Sequence, residues 1–293
     1  MNEELIRTFT MEEVVGALNQ MGPFKAPGLD GFPVGFFQQN WEMMGSEVCS
    51  AVLDTLNFDI MPFHLNMTHI VLIPKIKDTL KVTDFRPISL YNVLYKLISK
   101  LLANHLKRVL PIIIYPTQSA FIPGHLILDN ILAAYKTLHT MHSRMSRKKG
   151  FMAMKLNLSK AYNRVEWRFL EATIGQLGFS ARCIKLIMMC VSMVKYAVLV
   201  NGVPCRHITP TRGIRQRDSI SPYLLLIYAE ALSFMITWAN NDGLLTGVST
   251  SKKGTRISHL FFANHSLLFC RTSYLQWSNL SHILKVYEAA SGQ

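Results

Sequence analysis

The side chains with most chemical promise are polar ones at the ends of apolar runs. Phe151 to Leu156 reads as a strand that ends in Asn157 and Ser159. Ser258 to Phe262 and Leu267 to Cys270 read as two short strands around Ala263, Asn264, His265 and Ser266, a hairpin with polar residues at its tip. An asparagine carbonyl coordinates a hard cation and a histidine suits a transition metal, but neither brings negative charge. His259, His265 and Cys270 match no common ligand spacing and are expected in the core. The basic groups 144–149, 212–217 and 252–256 have the composition of phosphate-contacting loops, which is equally the composition of solvated ones.

The composition sets wide bounds around these positions. With 293 residues, 49% of them hydrophobic, the chain buries a sizeable core as one large domain or two small ones. Thirty-one Lys and Arg against 18 Asp and Glu give a formal charge of +13, a balance that suits a polyanion. The five cysteines are scattered, with no C-x-x-C pair, and read as reduced core thiols. The first residues are acidic and no apolar signal segment follows, so an intracellular location, cytoplasmic or nuclear, is expected. The apolar stretches 186–200 and 223–239 are interrupted by Lys195 and Glu230 and read as buried elements instead of membrane spans.

Positioning elements follow from periodicity. Thr10 to Met21 is predicted helical, with Thr10 as N-cap and Glu13 completing a capping box. Pro23 to Gly31 is a structured loop, and one helix is expected from Phe36 to Leu56. His69 to Pro74 reads as a buried strand. Tyr91 to Val109 reads as a helix with Lys107 and Arg108 in its last turn. Helices are also predicted over Asp129 to His142, Ala181 to Met193 and Tyr223 to Trp238, and a strand over Tyr196 to Asn201 that turns at Asn201-Gly202. Arg144 to Lys149 is read as an exposed connector. The mixture points to an α+β architecture.

Ordered blocks then carry a resemblance. Lys25-Ala26-Pro27-Gly28-Leu29-Asp30-Gly31, Ile73-Pro74-Lys75, Asp84-Phe85-Arg86-Pro87-Ile88-Ser89-Leu90 and Gln118-Ser119-Ala120-Phe121-Ile122-Pro123-Gly124 come first. Leu156-Asn157-Leu158-Ser159-Lys160-Ala161-Tyr162, Arg212-Gly213-Ile214-Arg215-Gln216-Arg217-Asp218 and Phe261-Phe262-Ala263-Asn264-His265 follow. Together they resemble the reverse transcriptases of non-LTR, LINE-type retrotransposons, most nearly those of plants. The resemblance implies an α+β fingers and palm fold, with an N-terminal helical extension over 1–24, fingers over 25–150 and palm over 151–293, and it implies that the chain stops before a thumb. It also implies an RNA template, a DNA primer, deoxynucleoside triphosphates and Mg²⁺ or Mn²⁺.

By the same resemblance Asn157, Asn264 and His265 stand where the family keeps three metal-binding aspartates. Lys75 and Arg86 match triphosphate contacts, Tyr162 the aromatic that screens the sugar 2′ position, and Gln216 a template-nucleotide block. Arg217 replaces an expected glycine and Ser219 an expected proline. Two divalent ions need anionic oxygen, so loss of all three carboxylates predicts an inactive domain. Most departures are single transitions at the DNA level, as in a decaying element; a nucleic-acid-binding module kept by a host is the alternative. Glu166, Asp218 and Glu230 match no metal-ligand position.

Overall fold

The structure is a computed structural model that describes residues 1–143, 150–158, 161–250, 256–262 and 265–293. In chain order the elements are α1 (Asn2–Ile6), α2 (Met11–Asn19), α3 (Val34–Gln39), α4 (Trp41–Asn57), β1 (Met67–Pro74), β2 (Phe85–Tyr91), α5 (Val93–Ile113) and α6 (Ile127–Ser143). Then come β3 (Phe151–Asn157), α7 (Ala161–Arg164), α8 (Trp167–Gln176), α9 (Ala181–Ser192), β4 (Lys195–Val200) and β5 (Val203–Ile208). The last are α10 (Ser221–Asn241), β6 (Val248–Ser249), β7 (Arg256–Ile257), β8 (His259–Phe262), β9 (His265–Arg271) and α11 (Tyr274–Ser291). The chain forms two compact units, residues 1–106 with 178–221 and residues 107–177 with 222–293.

The first unit carries a four-stranded sheet in the order β2-β1-β4-β5. Its pairs are antiparallel except for β1 with β4, which run parallel. Pro87 lies in β2, an edge strand, where its missing N–H costs no ladder bond on the open side. The β4–β5 hairpin closes through Asn201 at φ 51° and Gly202 at φ 81°, the two left-handed positions of a type I′ turn that the Asn-Gly pair predicts. Capping of α2 is also as expected: the Thr10 hydroxyl accepts from the Glu13 N–H while Glu13 reaches back to the Thr10 N–H.

The Pro23–Gly31 loop is held from β2 and α5. The Asn92 side-chain oxygen accepts from the Leu29 N–H at 2.8 Å, and Lys96 Nζ donates to the Ala26 carbonyl at 2.7 Å. A Cβ on Gly28 would come within 2.4 Å of the Tyr91–Asn92 backbone, so only glycine fits there.

The second unit holds a three-stranded antiparallel sheet in the order β3-β9-β8, beside the short pair β6–β7. Val248, Leu260 and Phe269 form one buried cluster against it, joined by Ala133, Ala134 and Met141 of α6. Helix α10 is long and apolar enough by composition to cross a membrane, yet 61% of its most apolar window is buried inside the fold, as the core reading of 223–239 expects.

Several expectations need correction. The helix expected from Phe36 to Leu56 is two helices, broken at Asn40, whose side chain donates to the Phe36 carbonyl at 2.8 Å and ends the first of them. Strand β1 is mostly half-buried, not buried. Tyr91 ends a strand, and α5 continues past Val109 through Pro111 to Ile113, with Leu110 adding to its buried stripe. Lys107 and Arg108 therefore do not lie in its last turn. Cys205 is exposed on edge strand β5, while the other four cysteines are buried. His265 is exposed, whereas His259 and Cys270 occupy the core. The connector 144–149 lies outside the described residues.

Candidate functional site

The second unit brings two of the singled-out positions together. β3 and β9 are antiparallel in continuous register from Phe151↔Arg271 to Asn157↔His265. Directly opposed residues keep their Cβ atoms about 4.5–5.5 Å apart on the same face of the sheet. Asn157 and His265 are thus cross-strand neighbours at the end of the ladder, both exposed. His265 also faces Phe262 across the β8–β9 hairpin. Asn264 and Ser159 lie outside the described residues. Tyr162, on α7, is half-buried, and burial pushes its phenol pKa up.

One buried acidic residue of the same unit is committed to the fold. Glu230 is buried in α10 and accepts from the Tyr115 N–H at 3.1 Å, and desolvation raises its carboxyl to about 7. The Glu166 N–H donates to the Tyr228 hydroxyl at 3.0 Å. His259 bridges Thr117 and Ser233 through Nε2, each at 2.9 Å, and burial lowers it to about 4.

In the first unit Lys75 and Arg86 sit at one end of the β1–β2 hairpin. Ile73 pairs with Arg86, and the Lys75 N–H donates to the Asp84 carbonyl at 2.8 Å. Both side chains are exposed, and Lys75 Nζ reaches the Thr83 carbonyl at 2.8 Å. Asp84 steadies the connection by accepting from the Leu80 and Lys81 N–H groups, which lower its pKa. Gln216 is half-buried near the other end of β2, where the Tyr91 hydroxyl donates to the Arg217 carbonyl at 3.2 Å. Along β2 that is five residues, about 16 Å, from Arg86.

Around Gln216 lies a network that sequence reading missed. Arg215, within the basic group 212–217, is 5% exposed, with its guanidinium 4.1 Å from the Tyr95 ring and paired to Asp218 at 3.4 Å. It also donates to the Asn66 side chain. Asp218 accepts from Tyr95 at 2.9 Å and from Ser99, whose oxygen in turn accepts from the Ile220 N–H at 3.2 Å. Burial pushes the Tyr95 phenol well up, so it remains a neutral donor. The available signal was the three-residue spacing of Arg215 and Asp218 within one motif. Arg217 has φ +67°, a left-handed conformation that explains why a glycine is expected there.

Comparison with known proteins decides what these motifs belong to. A family profile described as reverse transcriptase (RNA-dependent DNA polymerase) matches residues 73–290. The chain belongs to the reverse transcriptase family. It is similar to a Xenopus laevis protein, "Transposon TX1 uncharacterized 149 kDa protein", at 26% identity over 291 residues, covering 99% of this chain and 21% of that protein. An uncharacterized mitochondrial protein of Arabidopsis thaliana is 39% identical over 83 residues, 28% of this chain and 63% of that protein. A Pol polyprotein from the type-1 retrotransposable element R2 of Popillia japonica is 26% identical over 231 residues, 74% of this chain and 29% of that protein. The chain therefore spans about a fifth of the TX1 protein and under a third of the R2 polyprotein.

Reverse transcriptases act on a nucleic-acid template and primer and use divalent metal ions, which anionic oxygens must hold. The donors at the β3–β9 ladder end do not fit that demand, being an amide and an imidazole directly opposed. Among the described residues no three His, Cys, Asp or Glu side chains cluster where they could hold a metal.

Proposed function

We propose that this reverse-transcriptase domain does not polymerise. The observation that carries the reading is the Asn157↔His265 pair: two positions matching family aspartates are direct neighbours, and neither side chain is a carboxylate. Two divalent ions held close together repel, and without carboxylates nothing offsets that repulsion. The buried carboxylates give no replacement, because Asp218 is tied to Arg215 and Glu230 to a backbone N–H.

The family's remaining roles fall on residues still suited to them. Exposed Lys75 and Arg86 at one hairpin end are assigned to the triphosphate, where a guanidinium fork matches phosphate oxygens. Tyr162 is assigned to the sugar and Gln216 to the template-paired base. Residues 25–150 are read as fingers and 151–293 as palm, with RNA template and DNA primer as partners and an intracellular location. Primer extension with Mg²⁺ or Mn²⁺ tests the reading. The chain is expected to give no product, while the Asn157→Asp/Asn264→Asp/His265→Asp variant regains extension; extension by the unchanged chain at a comparable rate overturns it. Losses of one catalytic group commonly lower rates by about 10²–10⁴.

A further inference from the structure

Helix α6 is apolar on two faces. Ala133, Ala134 and Met141 pack against the core of the second unit, and Thr137 is fully buried beside them. On a second face Leu128, Ile131, Tyr135 and Leu138 recur at helical spacing and are 44% to 66% exposed. Ile127 and Leu132 widen the stripe, at 51% and 53% exposed. A solvent-facing helix surface is ordinarily polar, and a helix apolar all round is ordinarily covered. These six side chains expose roughly 600 Å² of surface, at the upper edge of what ordinary monomers leave open and approaching the ~800 Å² per partner of a standard interface.

We propose that this face of α6 is a homodimer contact in which a second copy of the chain supplies the same face. The spacing carries the choice of occupant. Leu128, Ile131, Tyr135 and Leu138 are separated by three, four and three residues, a series that reads the same in both directions. When two such helices lie antiparallel about a two-fold axis, Leu128 of one copy meets Leu138 of the other, and Ile131 meets Tyr135. That is the self-complementarity an isologous contact demands, with helix axes about 8–10 Å apart. The exposed area fits a reversible dimer, and the inference stands apart from the question of catalysis.

Sedimentation of the full chain across about 1–100 µM, the range where a reversible contact of this size dissociates, tests the proposal. The chain is expected to pass from monomer to dimer and no further. Ile131→Glu, at an exposed position, is expected to keep the far-ultraviolet circular dichroism of the parent and to weaken the dimer roughly 30-fold or more. As a second arm, copies carrying Ile131→Cys and copies carrying Tyr135→Cys, both in a Cys205→Ser background, are mixed and oxidised. Disulfides joining one kind of copy to the other should exceed those within either kind. A chain that stays monomeric throughout, a dimer indifferent to Ile131→Glu, open-ended assembly, or cross-linking without preference would each overturn it.

Discussion

The loop around Arg215 and the strand ends at Asn157 and His265 carry residues of two motifs from one family under opposite physical conditions. Arg215 and Asp218 are buried, paired with each other and bound to Tyr95, Ser99 and Asn66. Asn157 and His265 are exposed, so exchanging their side chains disturbs little packing. The stability of the fold depends strongly on the first set and weakly on the second. A buried framework of this kind tolerates change less than exposed residues at a ladder end do.

The sharpest way to break this comparison is to remove one member of each set. Asp218→Ala strands a buried guanidinium and is expected to destabilise the chain by about 3–5 kcal/mol, read from the denaturant midpoint. His265→Ala is expected to change stability by no more than about 0.5 kcal/mol, as for an ordinary surface position. Equal effects would dissolve the distinction between framework and site.

A second test separates two buried groups of the second unit by pH. Glu230 is raised from 4.5 to about 7, so its contribution is fully present below pH 4.5 and is lost as pH rises towards 7. His259 is lowered from 6.5 to about 4, so its contribution is present above pH 6.5 and is lost as pH falls towards 4. Between pH 4.5 and 6.5 the two slopes oppose each other. Glu230→Gln should uncover the histidine slope, with stability rising by about 1.4 kcal/mol per pH unit across that window. A pH-independent difference between variant and parent would remove the assignment.

The smallest effect concerns the one strained position in the framework loop. Arg217→Gly relieves a side chain at φ +67° and keeps the backbone carbonyl that Tyr91 uses. A gain of about 0.5–1 kcal/mol is expected, reduced by the extra freedom glycine brings to the unfolded chain. A loss of stability would mean that the Arg217 side chain contributes contacts that outweigh the strain.

What could be read in the sequence was local. The capping box at Thr10, the Asn201-Gly202 turn and the strand ending at Asn157 depend on a few neighbouring residues, so composition and period exposed them. The break at Asn40 depends on one side chain turning back to a carbonyl, and within an otherwise periodic stretch it gave no sign. Arg215 looked like a surface cation because its burial rests on Asn66 and Tyr95, more than a hundred residues earlier. The two compact units each draw on two separated stretches of chain, an interleaving that no linear reading of motifs displays. The motif positions at the ladder end were legible, and their direct opposition came only with the register.

Direct metal binding bears most closely on the central claim. Titration of Mn²⁺ into the chain, followed by electron paramagnetic resonance, should show no saturable site, while the Asn157→Asp/Asn264→Asp/His265→Asp variant should acquire one. Saturable binding by the unchanged chain that is lost on Asn157→Ala or His265→Ala would contradict the account.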